Sequence, residues 1–142
     1  MLTIYYVQEK LKVAFMDALA VIRKTVANVM AIIIVRGGFN IWPDLLRFLV
    51  ENLLKAGQLS SLDLYSLSIV EASIHTISII VEDCSDLLQE ESYVTQIEFM
   101  IQPIFGLLLC PYEKFGGDLQ RQGVHASIET HAINTVNMLL IT

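Results

Sequence analysis

Apolar residues recur along most of this chain in alternating steps of three and four, the spacing that marks one face of an α-helix. Three stretches show it most clearly: Ile22, Val26, Val29 and Ile33; Leu67, Val70, Ile74, Ile77 and Val81; and Val94, Ile97, Ile101, Ile104 and Leu108. The β-branched run Ile32–Val35 alone favours a strand, but the helical period on both sides of it indicates a helix. The pattern therefore predicts an all-α protein.

Stop and start signals divide the pattern into helices at about 3–16, 18–36, 43–57, 61–84, 94–109 and 120–141. Gly37 and Gly38 end the second helix, because glycine accepts the backbone conformation that follows a helix. Pro43 is expected at the first position of the third helix, where its missing N–H would be unpaired anyway. Ser61 or Asp63 is expected to cap the fourth.

Shorter and longer helices alternate, and similar elements return further along the chain. Trp42–Leu46 opens one shorter helix, and Met100–Phe105 lies in another. A return after about 40 to 47 residues is the signature of HEAT and armadillo solenoids, in which stacked helical pairs bury each other's apolar faces. The first interval in this chain is close to that length, and the second is stretched by the Pro111–Leu119 loop. We therefore predict one solenoid fragment of a longer protein over residues 1–142. It would hold two and a half to three pairs, at about 1–36, 42–84 and 94–141.

The composition fits helices that are buried on more than one side. The hydrophobic fraction is 54% and the mean hydropathy is +0.58. No membrane span is expected, because the longest apolar run, Leu64–Val81, contains Glu71, His75 and several hydroxyl groups. Stack ends without polar capping helices are expected to be exposed, so the fragment is predicted to self-associate through them.

The net charge limits the kinds of partner that the chain is expected to bind. A net charge of -6 argues against nucleic acid, which needs a basic surface. It fits a partner with a basic surface, and it fits equally well a charge that only keeps the chain soluble. The two cysteines, Cys84 and Cys110, lack metal or redox spacing and are expected to be reduced, buried thiols.

The acidic residues concentrate at the end of the fourth predicted helix, as Glu82, Asp83, Asp86, Glu90 and Glu91. Negative charge at a helix C-terminus opposes the helix dipole and costs roughly 0.3 to 1 kcal/mol per group. A charge placed against this local preference can serve a partner, so Glu82 and Asp83 are the candidate binding residues. The simpler interpretation is a solvated helix end.

No motif indicates catalysis, a cofactor or a metal. Glu71 and His75 share a helix face, but a di-iron bundle needs a different spacing and a second copy. His125 and His131 do not share a face. Trp42 and Arg23 are expected to be structural, Trp42 packed over the turn and Arg23 bridging to the next repeat. A helical-bundle hydrolase or metal protein is the alternative from the enzyme class.

Several segments resemble the N-terminal HEAT repeats of importin-β-type nuclear transport receptors, and most closely the transportin branch. They are Ile22-Arg23-x-Thr25-Val26, Trp42-Pro43-Asp44-Leu45-Leu46, Val81-Glu82-Asp83-Cys84-Ser85, Ile101-x-Pro103-Ile104-Phe105 and His131–Asn137. The resemblance runs from about Val7 to Leu140, and the Cys110–Gln122 loop departs from it.

The resemblance implies a karyopherin that shuttles between cytoplasm and nucleus through the nuclear pore. It implies that the longer helices line a concave face that meets the GTPase Ran, with Glu82 and Asp83 toward Ran. It also implies import cargo proteins and Phe-Gly nucleoporins as partners. An exportin, or another HEAT scaffold such as a phosphatase or translation-control subunit, is the alternative.

Overall fold

The computed structural model describes residues 2–17, 19–54, 59–84, 94–108 and 115–141, and within them every regular element is helical. The α-helices are α1 (Leu2–Phe15), α2 (Ala20–Gly37), α3 (Leu45–Leu54), α4 (Leu64–Asp83), α5 (Val94–Leu107) and α6 (Leu119–Ile141). Short 3-10 turns at Phe39–Ile41 and Leu59–Ser61 precede α3 and α4. The all-α prediction is confirmed, including the helical conformation of Ile32–Val35.

Two predicted helix boundaries are confirmed in atomic detail. Gly38 follows α2 with a φ of 80°, which only glycine adopts easily, and its N–H donates to the carbonyl of Ile34 at 2.8 Å. Asp63 precedes α4, and its carboxylate accepts the N–H of Ser66 at 2.8 Å. This bond lowers the pKa of the Asp63 carboxyl below its ordinary value, because it favours the charged form.

The predicted start of the third helix is wrong by two residues. α3 begins at Leu45, and Pro43 lies in the turn before it. The carbonyl of Trp42 accepts the N–H of Leu45 at 3.1 Å, and the carbonyl of Asp44 accepts that of Phe48 at 2.9 Å. Proline therefore shapes the approach to this helix rather than its first turn.

The helices pack as two rows. Neighbours in sequence form the pairs α1 with α2, α3 with α4 and α5 with α6. The longer helices contact each other in the order α2, α4, α6, and α3 contacts α5 in the other row. The ring of Phe15 on α1 meets that of Phe48 on α3 edge to face, with centroids 5.7 Å apart. The second row thus continues through α1, α3 and α5.

The core follows the seam between the rows. Residues that are fully or almost fully enclosed include Phe15, Met30, Ile34, Leu45, Leu49, Leu67, Ile74, Ile77, Ile80, Met100 and Ile104. Each such side chain stabilises the fold by about 1.5 to 3 kcal/mol. The expected inward positions of α4 are all buried, as are Ile128, Ala132, Val136 and Leu139 of α6. Trp42 is buried in the same core, as expected.

The face of α2 that its apolar spacing marks is only partly buried. Ile22 and Val29 are exposed, and the face that is buried contains Arg23, Val26, Ala27, Met30, Ala31 and Ile34. Because α2 is apolar on two sides, periodicity alone allows either side to face inward. The structure turns Arg23 inward and leaves an apolar stripe outside.

One described helix, α4, is long and apolar enough to cross a membrane by length and composition. The helix has 20 residues, and an 18-residue window of it has a mean hydropathy of 1.6, with just over half of that window buried inside the protein. It contacts α2, α3 and α6. The core helix of a globular protein meets the same criterion.

Candidate functional site

A cavity of about 310 Å³ opens where the three longer helices meet. Its lining is polar for a chain this apolar: Ala20, Arg23 and Lys24 from α2; Ser68, Glu71, Ala72 and His75 from α4; and Ser127 and His131 from α6. Glu71 and His75 do share one face of α4, as their spacing predicts. The cavity therefore brings together five ionisable groups of the longer-helix row: Arg23, Lys24, Glu71, His75 and His131.

Two histidines join α4 to α6 beside this cavity. His75 Nδ1 lies 3.3 Å from His131 Nε2, and the ring centroids are 4.6 Å apart at an interplanar angle of 66°. One ring can donate a hydrogen bond to the other only if the accepting nitrogen is unprotonated. Both rings therefore cannot be charged while the contact is kept.

The environment of His131 favours its neutral form. Partial burial lowers the pKa of His131, and the neighbouring His75 lowers it further, while the carboxylate of Glu71 acts in the opposite direction. The link between α4 and α6 is thus held by a neutral imidazole at neutral pH.

A second polar link joins α2 to the turn before it and to α4. The buried guanidinium of Arg23 donates from Nη1 to the carbonyl of Asp17 at 2.5 Å, and it lies 5.8 Å from the ring centroid of Tyr65 on α4. The hydroxyl of Tyr65 donates to the carbonyl of Met16. Arg23 is structural, as expected, but its hydrogen bond goes to the preceding turn instead of the following pair.

The candidate residues Glu82 and Asp83 are exposed at the last turn of α4, outside the cavity. Cys84, which follows them, is buried; its burial raises the pKa of the thiol, and the charge of Asp83 adds to this rise. Asp86, Glu90, Glu91 and Cys110 lie outside the described residues. The structure therefore places two adjacent carboxylates at an exposed helix end, next to a buried thiol.

His125 lies apart from the histidine pair. It is fully buried, with its ring 4.5 Å from that of Phe115 and its Nε2 3.4 Å from a carboxylate oxygen of Glu129. His125 and His131 do not meet, as predicted from their spacing. Within the described part of the chain, no group of three histidine, cysteine or carboxylate side chains is arranged to hold a metal ion.

Sequence reasoning missed the contact of His75 with His131. The two residues are 56 positions apart on different helices. A search along one helix cannot find such a pair, because it depends on how α4 and α6 pack. The available signal was that each histidine lies near the middle of an apolar helix, where a polar ring needs a partner.

Comparison with protein-family models, with curated proteins and with solved structures finds no match to this chain. Its function is therefore inferred from the packing of its helices and from the side chains that they expose.

Proposed function

We propose that this chain is a protein-binding scaffold, a HEAT-type stack of helical pairs from a nuclear import receptor of the importin-β kind, close to transportin. The observation that carries the proposal is the packing in two rows, with α4 covered on one side by α2 and on the other by α6. Each pair leans on its neighbours in such a stack, and the rows offer long surfaces to partners.

The acidic end of α4 is the proposed contact with Ran. Glu82 and Asp83 are exposed on the row of longer helices, the row that would line the concave face. Their charges oppose the helix dipole, so folding alone gives no reason to place them there. Paired carboxylates at a rim speed association with a basic surface and select for it.

The row of shorter helices is the proposed face for Phe-Gly nucleoporins. Phe99 and Phe105 on α5 are each more than two-fifths exposed. Because the two residues are six positions apart, they lie on different sides of α5, and each exposed ring by itself is suited to receiving a phenylalanine side chain from an extended partner. Import cargo would bind mainly elsewhere on the longer protein, and the receptor would release it when Ran-GTP binds.

The test measures binding of the chain to Ran carrying a non-hydrolysable GTP analogue or GDP, by biolayer interferometry. We expect binding only in the GTP form, and we expect Glu82→Lys with Asp83→Lys to weaken it about tenfold or more. Glu51→Lys, another exposed carboxylate, on α3, is the control and should change affinity little.

Equal affinity of the two variants would remove Glu82 and Asp83 from the Ran site. Absence of GTP-dependent binding up to about 100 µM would defeat the assignment to the importin-β kind and leave another HEAT scaffold. If Ran-GTP strengthens cargo binding to the longer protein instead of releasing it, the protein is an exportin.

A further inference from the structure

The cavity where α2, α4 and α6 meet is hydrophilic, although the chain as a whole is 54% hydrophobic. Its apolar lining consists of two alanines, Ala20 and Ala72, and the described residues around it include no large apolar side chain. Sites for apolar ligands are lined mainly by large hydrophobic side chains. This cavity therefore suits a ligand that is itself rich in polar groups.

A buried cation forms part of its wall. The side chain of Arg23 is only 7% exposed, and a guanidinium has five N–H donors. Nη1 donates to the carbonyl of Asp17, and the ring of Tyr65 lies beside the group; both of these partners are neutral. Within the described residues, no carboxylate lies within ion-pair distance of Arg23. Since a buried charge is normally paired with an opposite one, Arg23 brings an unneutralised positive charge and spare donors to the cavity.

The start of α2 adds positive potential on the same side. Lys24 lines the cavity next to Arg23, and its side chain is exposed. The helix begins at Ala20, which also lines the cavity, and no side chain among the described residues caps it. The unpaired N–H groups at the start of a helix attract anions, phosphate groups in particular. Two cations and a helix terminus thus lie together on the α2 side.

The α4 and α6 sides carry groups that exchange hydrogen bonds with hydroxyl groups. They are two serines, two imidazoles and one carboxylate: Ser68, Glu71, His75, Ser127 and His131. The carboxylate of Glu71 repels a highly charged anion but accepts a hydrogen bond from a hydroxyl group. The volume of about 310 Å³ is at the lower end of the range for small-molecule sites.

We propose that this cavity binds a small phosphorylated polyol, a compound of the sugar phosphate class. The phosphate group lies at the start of α2 with Arg23 and Lys24, and the hydroxyl groups face α4 and α6. One such ligand contacts a helix from each of the three pairs, so its binding ties the pairs together. This inference does not depend on the proposed transport role.

The experiment is an NMR titration of the isotope-labelled full chain with three probes: glucose-6-phosphate, inorganic phosphate and glucose. We expect glucose-6-phosphate to bind with a Kd of about 1 mM or tighter, inorganic phosphate to bind at least about threefold more weakly, and glucose to show no saturable binding up to about 20 mM. The amide signals that shift should belong to the three cavity walls, at residues 20–24, 68–75 and 127–131.

Four variants test the roles of the side chains. Lys24→Ala removes an exposed cation, so it should keep the fold and weaken glucose-6-phosphate binding about threefold or more. Lys10→Ala, at another exposed lysine, on α1, is the control and should not change the affinity. Arg23→Lys keeps the charge but loses the planar fork, and about tenfold weaker binding is expected. Glu71→Gln removes the repulsion, so inorganic phosphate should bind more tightly. Circular dichroism checks that each variant keeps its helices.

Several results would overturn the proposal. They are the absence of saturable glucose-6-phosphate binding, shifted signals that lie away from the cavity, or an unchanged affinity in Lys24→Ala. Glucose that binds as tightly as glucose-6-phosphate would show that the phosphate group is not recognised. Inorganic phosphate that binds as tightly would show that the hydroxyl groups are not recognised.

Discussion

The two sides of α4 are held to their neighbours in different ways. Toward α2, the ring of Tyr65 lies beneath a buried guanidinium, that of Arg23, which also bonds to the turn carbonyl of Asp17. Toward α6, the contact includes two imidazoles in hydrogen-bonding distance, those of His75 and His131. Both links are polar contacts within an otherwise apolar row.

The two links differ in how their charge responds to pH. A guanidinium keeps its charge at any pH at which proteins stay folded, whereas an imidazole changes charge near neutrality. The link from α2 to α4 should therefore be constant, and the link from α4 to α6 should weaken in acid. The helix α4 thus has a permanent link to α2 on one side and a link to α6 on the other that depends on pH.

Replacing Arg23 should have the largest effect. Arg23→Ala removes a buried charged donor, so the carbonyl of Asp17 loses its hydrogen bond from this side chain. We therefore expect a loss of about 1.5 to 3 kcal/mol in the free energy of unfolding. Urea denaturation followed by circular dichroism measures it. Lys24→Ala, at the exposed neighbouring position, should cost little. A similar loss of unfolding free energy in both variants would mean that the contacts of Arg23 do not contribute to stability.

Lowering the pH should destabilise the wild type through the other link. The pKa of His131 is depressed in the folded state by burial and by His75, so the unfolded state takes up a proton more readily. The neutral His131 contributes its full share to the free energy of unfolding above the pKa of the unfolded state, near 6.5. This contribution is lost as the pH falls below that value. The other titratable groups that line the cavity with His131 are Glu71 and His75 of α4 and Arg23 and Lys24 of α2.

His131→Gln tests the source of this pH dependence. Glutamine can still hydrogen-bond to His75 but does not titrate, so the fall in unfolding free energy between about pH 7.5 and about pH 5.5 should be smaller than in the wild type. Arg23→Ala, in contrast, should leave that fall unchanged. Equal pH dependence in the wild type and His131→Gln would show that other groups cause it.

Removing one hydroxyl should give the smallest effect. Tyr65→Phe loses the bond to the carbonyl of Met16 but keeps the ring beside Arg23, so we expect a loss of about 0.5 to 1.5 kcal/mol. Thermal unfolding of Tyr65→Phe and Tyr65→Leu separates the two contributions. If the phenylalanine variant loses as much as the leucine variant, the ring contributes nothing to the permanent link.

Much of the fold can be predicted from local patterns. The α4 stripe, Gly38 after α2 and the cap at Asp63 depend on residues close in sequence, so periodicity and capping rules find them. The inward face of α2 depends instead on which of two apolar sides meets α4. Periodicity groups Ile22 and Val29 on one face with Val26, and only the packing of the row decides that these two are exposed while Val26 is buried.

The site is less predictable than the fold. Glu82 and Asp83 are at an exposed helix end, as their position in the sequence predicts. The residues around them do not indicate which partner they contact. The pairing of His75 with His131 needs the relative position of two helices, which no spacing within either helix encodes. The sequence predicts a structural role for Arg23 with a partner in the next repeat; the ring of Tyr65 lies there, but the hydrogen bond of Arg23 goes to the preceding turn.

The length and apolarity of α4 have a consequence for biosynthesis. Its faces are covered by α2, α3 and α6, and α6 is the last of these to be translated. While the ribosome is still extending the segment after α4, a helix with the hydropathy of a membrane segment stands partly uncovered. We therefore expect the nascent chain to expose an apolar helix that chaperones can bind until α6 emerges.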